Sequence, residues 1–391
     1  MNISLLAKTL ESNKSNSKYR VTFFSALPPF RGGISNFSEL LVAQLEKISS
    51  LQAYTFKKQY PDFLFPGKTQ FTEKPKRSFP RIVSTFNPLT YFFARRTLKK
   101  SDPEIFITNY WMTFFGPMMA FFASGFNRNV LKIAVIHNLI PHEKRFFDSF
   151  FNRLFLDQYD GFVVMSDAVR NDVLELKDDA KCLVLSHPPY NQFGSKVNQT
   201  EAKNILGLNP DKKTLLFFGL IRDYKGLDIL LEAFSRLPEE FQLIVAGEVY
   251  GSDQVYQNLI EKSQNKNILF INNYIPDQEV TNYFSAADLC VLPYKSATQS
   301  GIKAIADSFQ VPVLTTNVGG LAELITPNKN GFIIENVDPE PLSNQIINLF
   351  NTEALDSVKS NLESKTNMEN DEWKVFAQSL LQFSEELKRI K

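Results

Sequence analysis

Residues 215–234 constrain the fold of this chain most. Leu215-Leu216-Phe217-Phe218 is an uncharged apolar run closed by Gly219, and Leu220-Ile221-Arg222-Asp223-Tyr224-Lys225-Gly226 separates it from Leu227, Leu230, Leu231 and Phe234. The run is what a strand covered on both faces requires, and the i, i+3, i+4, i+7 set after it is one face of a helix. The spacing therefore predicts a strand, a tight loop and a helix. Gly219 provides a sharp turn at the carboxyl end of the strand, and Arg222 and Lys225 precede the helix N-terminus, whose free N–H groups and dipole already attract an anion. Two cations added at such a place fit a diphosphate. A lone loop Arg or Lys is by default a solvated charge, so this reading needs support from elsewhere in the chain.

The chain has 391 residues, more than one hydrophobic core normally supports, and two domains are expected. Arg20–Leu27 reads as a strand, Pro28-Pro29-Phe30-Arg31-Gly32-Gly33 as a loop, and Phe37, Leu40, Leu41 and Leu45 as the inner face of a helix. Gly32 and Gly33 thus stand at the first strand-to-helix turn, where backbone can approach a ligand closely. Asn87-Pro88 opens a helix running through Leu98, and Ile105–Thr108 is another strand. The uncharged stretch Ile105–Asn127 is long enough to span a bilayer, but Asn109, Gly116, Pro117 and Gly125 break it into a strand, a loop and a buried helix.

Ile133–Ile136 is a strand ending at His137, with His142 and Glu143 close behind; side chains at such strand ends line the crevice of an open α/β sheet. Asp160–Met165 and Lys181–Ser186 are further strands, with Ser166 as a helix cap. His187-Pro188-Pro189-Tyr190 then begins a linker, which sets the domain boundary near residue 195 and gives His187 a structural role. The second half repeats the pattern with Phe241–Ala246 followed by Gly247-Glu248, then Ile268–Ile271, Leu289–Pro293, Val311–Thr315 and Gly331–Ile334. Strands alternating with helices predict α/β architecture, with two doubly wound parallel sheets. A last helix, Glu372–Lys388, carries Trp373, Phe376, Leu380 and Leu387 on one face.

A formal net charge of +1 hides an asymmetry: residues 1–195 hold 25 Lys and Arg against 16 Asp and Glu, so the remainder holds 18 against 26. Eleven of the basic residues lie between Lys57 and Lys100, interleaved with Phe and Tyr. That segment fits an anionic membrane surface, with Arg77, Arg81, Arg95 and Arg96 as contacts, and it fits equally a solvated basic face over a Phe-rich core. No nucleic-acid motif accompanies it. Cys182 and Cys290 have no CxxC or His partner and read as buried thiols of a reducing, cytoplasmic compartment. Residues 1–18 read as a frayed tail rather than a signal peptide.

Arg222, Lys225 and Gly226, together with Leu292-Pro293-Tyr294-Lys295-Ser296-Ala297-Thr298-Gln299-Ser300-Gly301, Pro312-Val313 and Gly319-Gly320-Leu321-Ala322-Glu323, resemble the donor site of the GT-B glycosyltransferases of family 4. The likeness runs from Pro28 to the last helix and is nearest to a bacterial branch with an Ala-Thr-Gln-Ser-Gly donor loop. It implies two Rossmann-like domains facing across a cleft. Residues 1–195 would bind the acceptor, 196–368 the nucleotide-sugar, and 369–391 would form a helix crossing back. It further implies a retaining transferase in which Arg222 and Lys225 hold the diphosphate, Gly32 and Gly33 face the donor, Gly247 lines its site and His137 positions the sugar; His142 and Glu143 are weaker carry-overs.

One departure is plain. The two acidic positions of the family's Glu-x7-Glu motif fall on Ala297 and Ile305, whose side chains accept no hydrogen bond. Gln299, Ser300 and Gly301, with the N–H groups of the next helix, are the expected replacements, whereas Asp307 lies two residues along the helix and on another face. No Asp-x-Asp pair or His cluster is present, so neither a cofactor nor a metal is expected. A glycan or lipid-linked acceptor follows from the resemblance. A binding-only protein that lost turnover with the Glu pair, and a GT-B sugar-nucleotide epimerase, remain as alternatives.

Overall fold

The computed structural model describes residues 19–60, 69–72, 75, 77–141, 146–190, 192–297, 300–335, 337–366 and 372–391. Among these, the first half forms β1 (Arg20–Phe24), β2 (Ser50–Lys58), β3 (Arg81–Ser84), β4 (Ile105–Tyr110), β5 (Leu131–Ile136), β6 (Gly161–Val164) and β7 (Cys182–Val184). The second half forms β8 (Lys213–Phe218), β9 (Phe241–Ala246), β10 (Ile268–Ile271), β11 (Leu289–Leu292), β12 (Val313–Thr316) and β13 (Phe332–Ile334). The order is β3-β2-β1-β4-β5-β6-β7 in one sheet and β10-β9-β8-β11-β12-β13 in the other, and the paired neighbours run parallel.

Each sheet is wound outward from its first strand and then back across it. The winding reverses between β1 and β4 in the first sheet and between β8 and β11 in the second. At such a reversal the loops leaving the two strands diverge, and a crevice opens at their carboxyl ends. The loop carrying Gly32 and Gly33 follows β1, and the loop carrying Arg222 and Lys225 follows β8, so the topology places both beside a crevice.

Helices α1 (Gly33–Ile48), α2 (Leu89–Lys100), α3 (Gly116–Ala123), α4 (Asp148–Leu156) and α5 (Asp167–Leu176) cover the first sheet. In the second domain α6 (Gln199–Ile205), α7 (Leu227–Phe234), α8 (Gln254–Lys262), α9 (Val280–Ala286), α10 (Gly301–Ser308), α11 (Gly319–Glu323), α12 (Pro339–Phe350) and α13 (Ala354–Thr366) do the same. The last helix, α14 (Glu372–Ile390), lies against α1, β5 and β6 of the first sheet. Trp373 packs on Phe37 and donates from Nε1 to the Pro189 carbonyl at 2.7 Å. Gly161 admits this helix, since a Cβ there would meet Leu387 Cδ1 at 2.3 Å. Consequently one apolar cluster joins Phe37 and Ile133 of the first domain, Tyr190 and Phe193 of the linker, Phe218 and Phe284 of the second domain, and Trp373.

Two strands were not expected. β2 mixes Gln52, Tyr54, Lys57 and Lys58 with a short buried stretch, so its sequence lacks an apolar run, and β3 has just four residues. β4 continues past Thr108 because its polar residues are paired: Thr108 donates to the Tyr159 hydroxyl at 2.9 Å and Asn109 to Ser38 Oγ at 2.8 Å. Cys290 is buried, but Cys182 is only partly buried, on the edge strand β7. Among the described residues, no helix is long and apolar enough to cross a membrane.

Candidate functional site

A cavity of about 420 Å³ opens between the domains, walled on one side by Arg31, Gly32 and Gly33 and on the other by Gly219, Lys225 and Gly247. Gly32 has φ 99°, a left-handed conformation that side chains resist, and a Cβ on either Gly32 or Gly33 would find nothing within 4 Å. In the second domain Asp223–Lys225 form a short 3-10 turn, and Gly226 at φ 66° redirects the chain into α7. Lys295 holds this loop through Asp223 at 3.0 Å and Asp228 at 2.9 Å, while its backbone N–H donates to the Tyr224 carbonyl at 2.7 Å.

The two cations of the loop part company. Lys225 is 8% exposed and lines the cavity; burial, and next the charge of Arg222, lower its pKa to about 8. Arg222 stacks over the Tyr250 ring at 4.3 Å and faces a second cavity of about 170 Å³, shared with Trp111, Thr113 and Asn138 of the first domain. Tyr224, between the two cations in the sequence, lines both cavities.

Ser300 and Gly301 reach the first cavity at the start of α10, where the Ser300 hydroxyl accepts the Ile302 N–H at 3.3 Å. Thr298 and Gln299 lie outside the described residues, as do His142 and Glu143. Ile305 turns its side chain toward the cavity and presents methyl groups there, while Ala297 packs its carbonyl against Gly319. Asp307 looks away, paired with Lys303 beside a separate cavity at the linker.

His137 is 3% exposed, edge-on to the Phe37 ring with centroids 4.6 Å apart; it is absent from the linings of the cavities described here, whereas Asn138 lines the smaller one. Burial first, and then the neighbouring His187, lower its pKa to about 3. The structure thus brings Gly32, Gly33, Lys225, Gly247, Ser300 and Gly301 to one cavity, sets Arg222 on the smaller one and leaves His137 off the linings of both. His187 bridges Tyr190 at 3.3 Å and the Pro188 carbonyl at 2.7 Å, within the linker packing.

Two cross-cleft contacts escaped the sequence. Arg31 pairs with Glu248 at 2.5 Å and stacks over Tyr274 at 4.3 Å, tying the first-domain loop to the residue after Gly247. Glu323 of α11 accepts the N–H groups of Asp167 (2.6 Å) and Ala168 (2.9 Å), so a second-domain carboxylate caps a first-domain helix. Each neighbours a motif that the sequence displays, but pairing across 217 residues leaves no local pattern.

Residues 198–368 match the family described as glycosyl transferases group 1. The match covers the second domain, less than half of the chain. Among curated relatives, D-inositol 3-phosphate glycosyltransferase of Xylanimonas cellulosilytica is 26% identical over 144 residues, covering 36% of this chain and 34% of that protein. The lipopolysaccharide core biosynthesis mannosyltransferase LpsB of Rhizobium meliloti is 32% identical over 157 residues, covering 37% and 43%. These matches span less than half of the relatives' own length. Sucrose-phosphate synthase from Thermosynechococcus elongatus superposes with TM-score 0.74 at 17% identity over 95% of this chain and 100% of that one. HepE of Anabaena, solved with UDP-glucose, superposes with TM-score 0.70 at 16% identity over 93% and 99%. At such identities the likeness shows architecture, and the fold is GT-B.

Proposed function

We propose that this chain is a retaining glycosyltransferase that moves a hexosyl group from a nucleotide-sugar to a hydroxyl of a glycan or lipid-linked acceptor. The observation that carries the reading is the convergence on one crevice of buried Lys225, the N-terminus of α10 and the open glycines Gly32 and Gly33. Burial makes the charged Lys225 ammonium costly, and a diphosphate would stabilise it. The UDP-glucose bound by HepE supports a donor of this class.

In this reading the larger cavity holds the donor and the smaller one the acceptor. When the anomeric C–O bond breaks, its electron pair stays on the diphosphate; Arg222, Lys225 and the N-terminal end of α10 offset that charge without a metal. Gln299 and Ser300 complete the donor grip in place of the carboxylates missing at Ala297 and Ile305. His137, neutral at working pH, shapes the wall on which the sugar rests and does not exchange a proton. The protein would work in the cytoplasm, at the inner face of the membrane.

Arg222→Ala should lower kcat/KM by about a hundredfold, roughly 2.7 kcal/mol, with the melting temperature unchanged, because its ring-stacked position carries no core packing. Turnover equal to wild type would overturn the assignment. Tight donor binding with neither transfer nor hydrolysis by the wild type would instead favour a binding protein, and a converted sugar-nucleotide product an epimerase. Activity abolished by a chelator and restored by magnesium would remove the metal-free mechanism.

A further inference from the structure

The outer face of the first domain exposes large apolar side chains that its core does not need. On α2, Leu89, Phe92 and Phe93 are followed at helical spacing by Arg96 and Lys100; Phe93 is 73% exposed. Phe146, just ahead of α4, is 98% exposed, and Phe150, Arg153 and Leu154 follow it at i+4, i+7 and i+8. α3 lies between these helices, with Phe121 5.2 Å from Phe92 and under the Arg95 guanidinium at 4.6 Å. The three helices therefore present one continuous surface. Monomeric soluble domains rarely leave so many aromatic rings together in water.

The surface has a direction. Helices of a parallel sheet begin at the carboxyl ends of the strands, so the Phe-bearing N-terminal ends of α2 and α4 stand on the same side as the crevice, with the basic residues farther back. Phe114 and Phe147 connect this surface to the smaller cavity, because both line it.

Charge decides among the occupants. α2 carries Arg95, Arg96, Lys99 and Lys100 with no acidic residue, and α4 carries Arg153 and the buried Asp148. A second copy docked through the same face would set these cations against each other. Phe92, Phe93, Phe146 and Phe150 are exposed and line none of the cavities described above, so they form a raised apolar surface rather than the walls of a groove for a peptide. Protruding rings beside a basic fringe match the interface of an anionic bilayer, where rings enter the acyl boundary and cations meet phosphates.

We infer that α2, α3 and α4 form a bilayer-docking face that brings a lipid-borne acceptor to the cavity beside Arg222. The acceptor part rests on the proposed function, whereas the docking part does not. The basic residues expected at a membrane from sequence divide accordingly. Arg77 pairs with Glu46 at 2.6 Å, and Arg81 donates to the Phe56 and Lys57 carbonyls, so these two hold β2, β3 and α1 together and are not docking contacts.

Co-sedimentation of the full chain with vesicles, without donor or acceptor, tests this directly. Wild type should pellet with mixed phosphatidylcholine–phosphatidylglycerol vesicles and much less with pure phosphatidylcholine. Phe93→Ser/Phe150→Ser should reduce the partition at least about tenfold, and Arg96→Glu/Lys100→Glu should reduce it in a salt-dependent way. Both variants should keep the wild-type melting temperature and donor hydrolysis, because these side chains are exposed and outside the crevice. Wild type remaining in the supernatant with both vesicles, or the Phe variant pelleting like wild type, would overturn the inference. So would a concentration-dependent dimer that the Phe variant abolishes. A chain that docks but transfers nothing would sink the functional reading and leave this one standing.

Discussion

Two glycine-bearing loops face each other across the crevice, and their glycines are there for different reasons. In the second domain the space is already taken. A Cβ on Gly226 would come within 2.0 Å of the Pro293 carbonyl oxygen, one on Gly247 within 2.0 Å of the Gly219 oxygen, and one on Gly319 within 1.9 Å of the Ala297 oxygen. These residues let backbone pack on backbone. In the first domain a Cβ on Gly32 or Gly33 would meet nothing within 4 Å. That room serves no packing within the protein, so it is room for something else. The comparison teaches that glycines beside a crevice are not equivalent marks of a ligand; what their absent side chain would touch separates the two kinds.

The largest effect should come from the filled side. Gly226→Ala places a methyl against an immovable carbonyl at φ 66°, and the backbone strain alone costs of order 1–3 kcal/mol. With the overlap added, the variant should melt at least about 10 °C lower, or fail to fold. A melting curve like that of wild type would show that the loop relaxes easily and that the contrast is weaker than drawn.

Gly33→Ala should do the reverse. Gly33 is not in the left-handed region and its surroundings are open, so stability should stay within about 0.5 kcal/mol of wild type. If the space belongs to the donor, the added methyl should weaken nucleotide-sugar binding about tenfold, or about 1.4 kcal/mol. Calorimetry with UDP-glucose and other sugar nucleotides reads this; a stable variant that binds the wild-type donor normally would assign the space to something other than the donor.

This distinction was hidden in the sequence, where Gly32, Gly33 and Gly247 look alike as glycines following strands. What the sequence displays well is whatever local pattern dictates. Leu215–Phe218 of β8 and Leu243–Ala246 of β9 are unbroken apolar runs because both faces are covered, and the helix α7 after the β8 loop shows its inner face by spacing. What it conceals depends on partners distant along the chain. β2 is a strand because β1 and β3 pair with it, despite its polar residues, and Arg31 meets Glu248 through domain packing alone. His137 is the instructive case: its place at a strand end is legible, but its ring packs edge-on against Phe37 of a different element and is buried off the linings of both cavities. Likewise the basic segment reads as one feature, yet Arg77 and Arg81 are tied down by local partners while Arg96 is exposed.

The smallest expected effect is a pH dependence that belongs to one loop and not the other. Lys225, on the filled side, has its pKa lowered to about 8 by burial and by Arg222, against 10.5 in the unfolded chain. Between these values the unfolded chain holds a proton that the empty fold has released, so stability should rise with pH across that window. Donor affinity should move oppositely: a diphosphate favours the charged amine, and binding above about pH 8 must take up a proton to restore it. Affinity should therefore be level near pH 7 and decline toward pH 9, by at most about tenfold per pH unit. Lys225→Arg, which stays charged, should flatten the decline even if it binds less well throughout. The first-domain loop meets that space with Gly32 and Gly33, which carry no titratable side chain, so the penalty of Gly33→Ala should be the same at pH 7 and pH 9. Titrating the donor at both pH values, in buffers of different ionisation enthalpy, separates these terms. Affinity that holds level to pH 9 without proton uptake would mean that Lys225 does not meet the phosphates, and the two sides of the crevice would lose their division of labour.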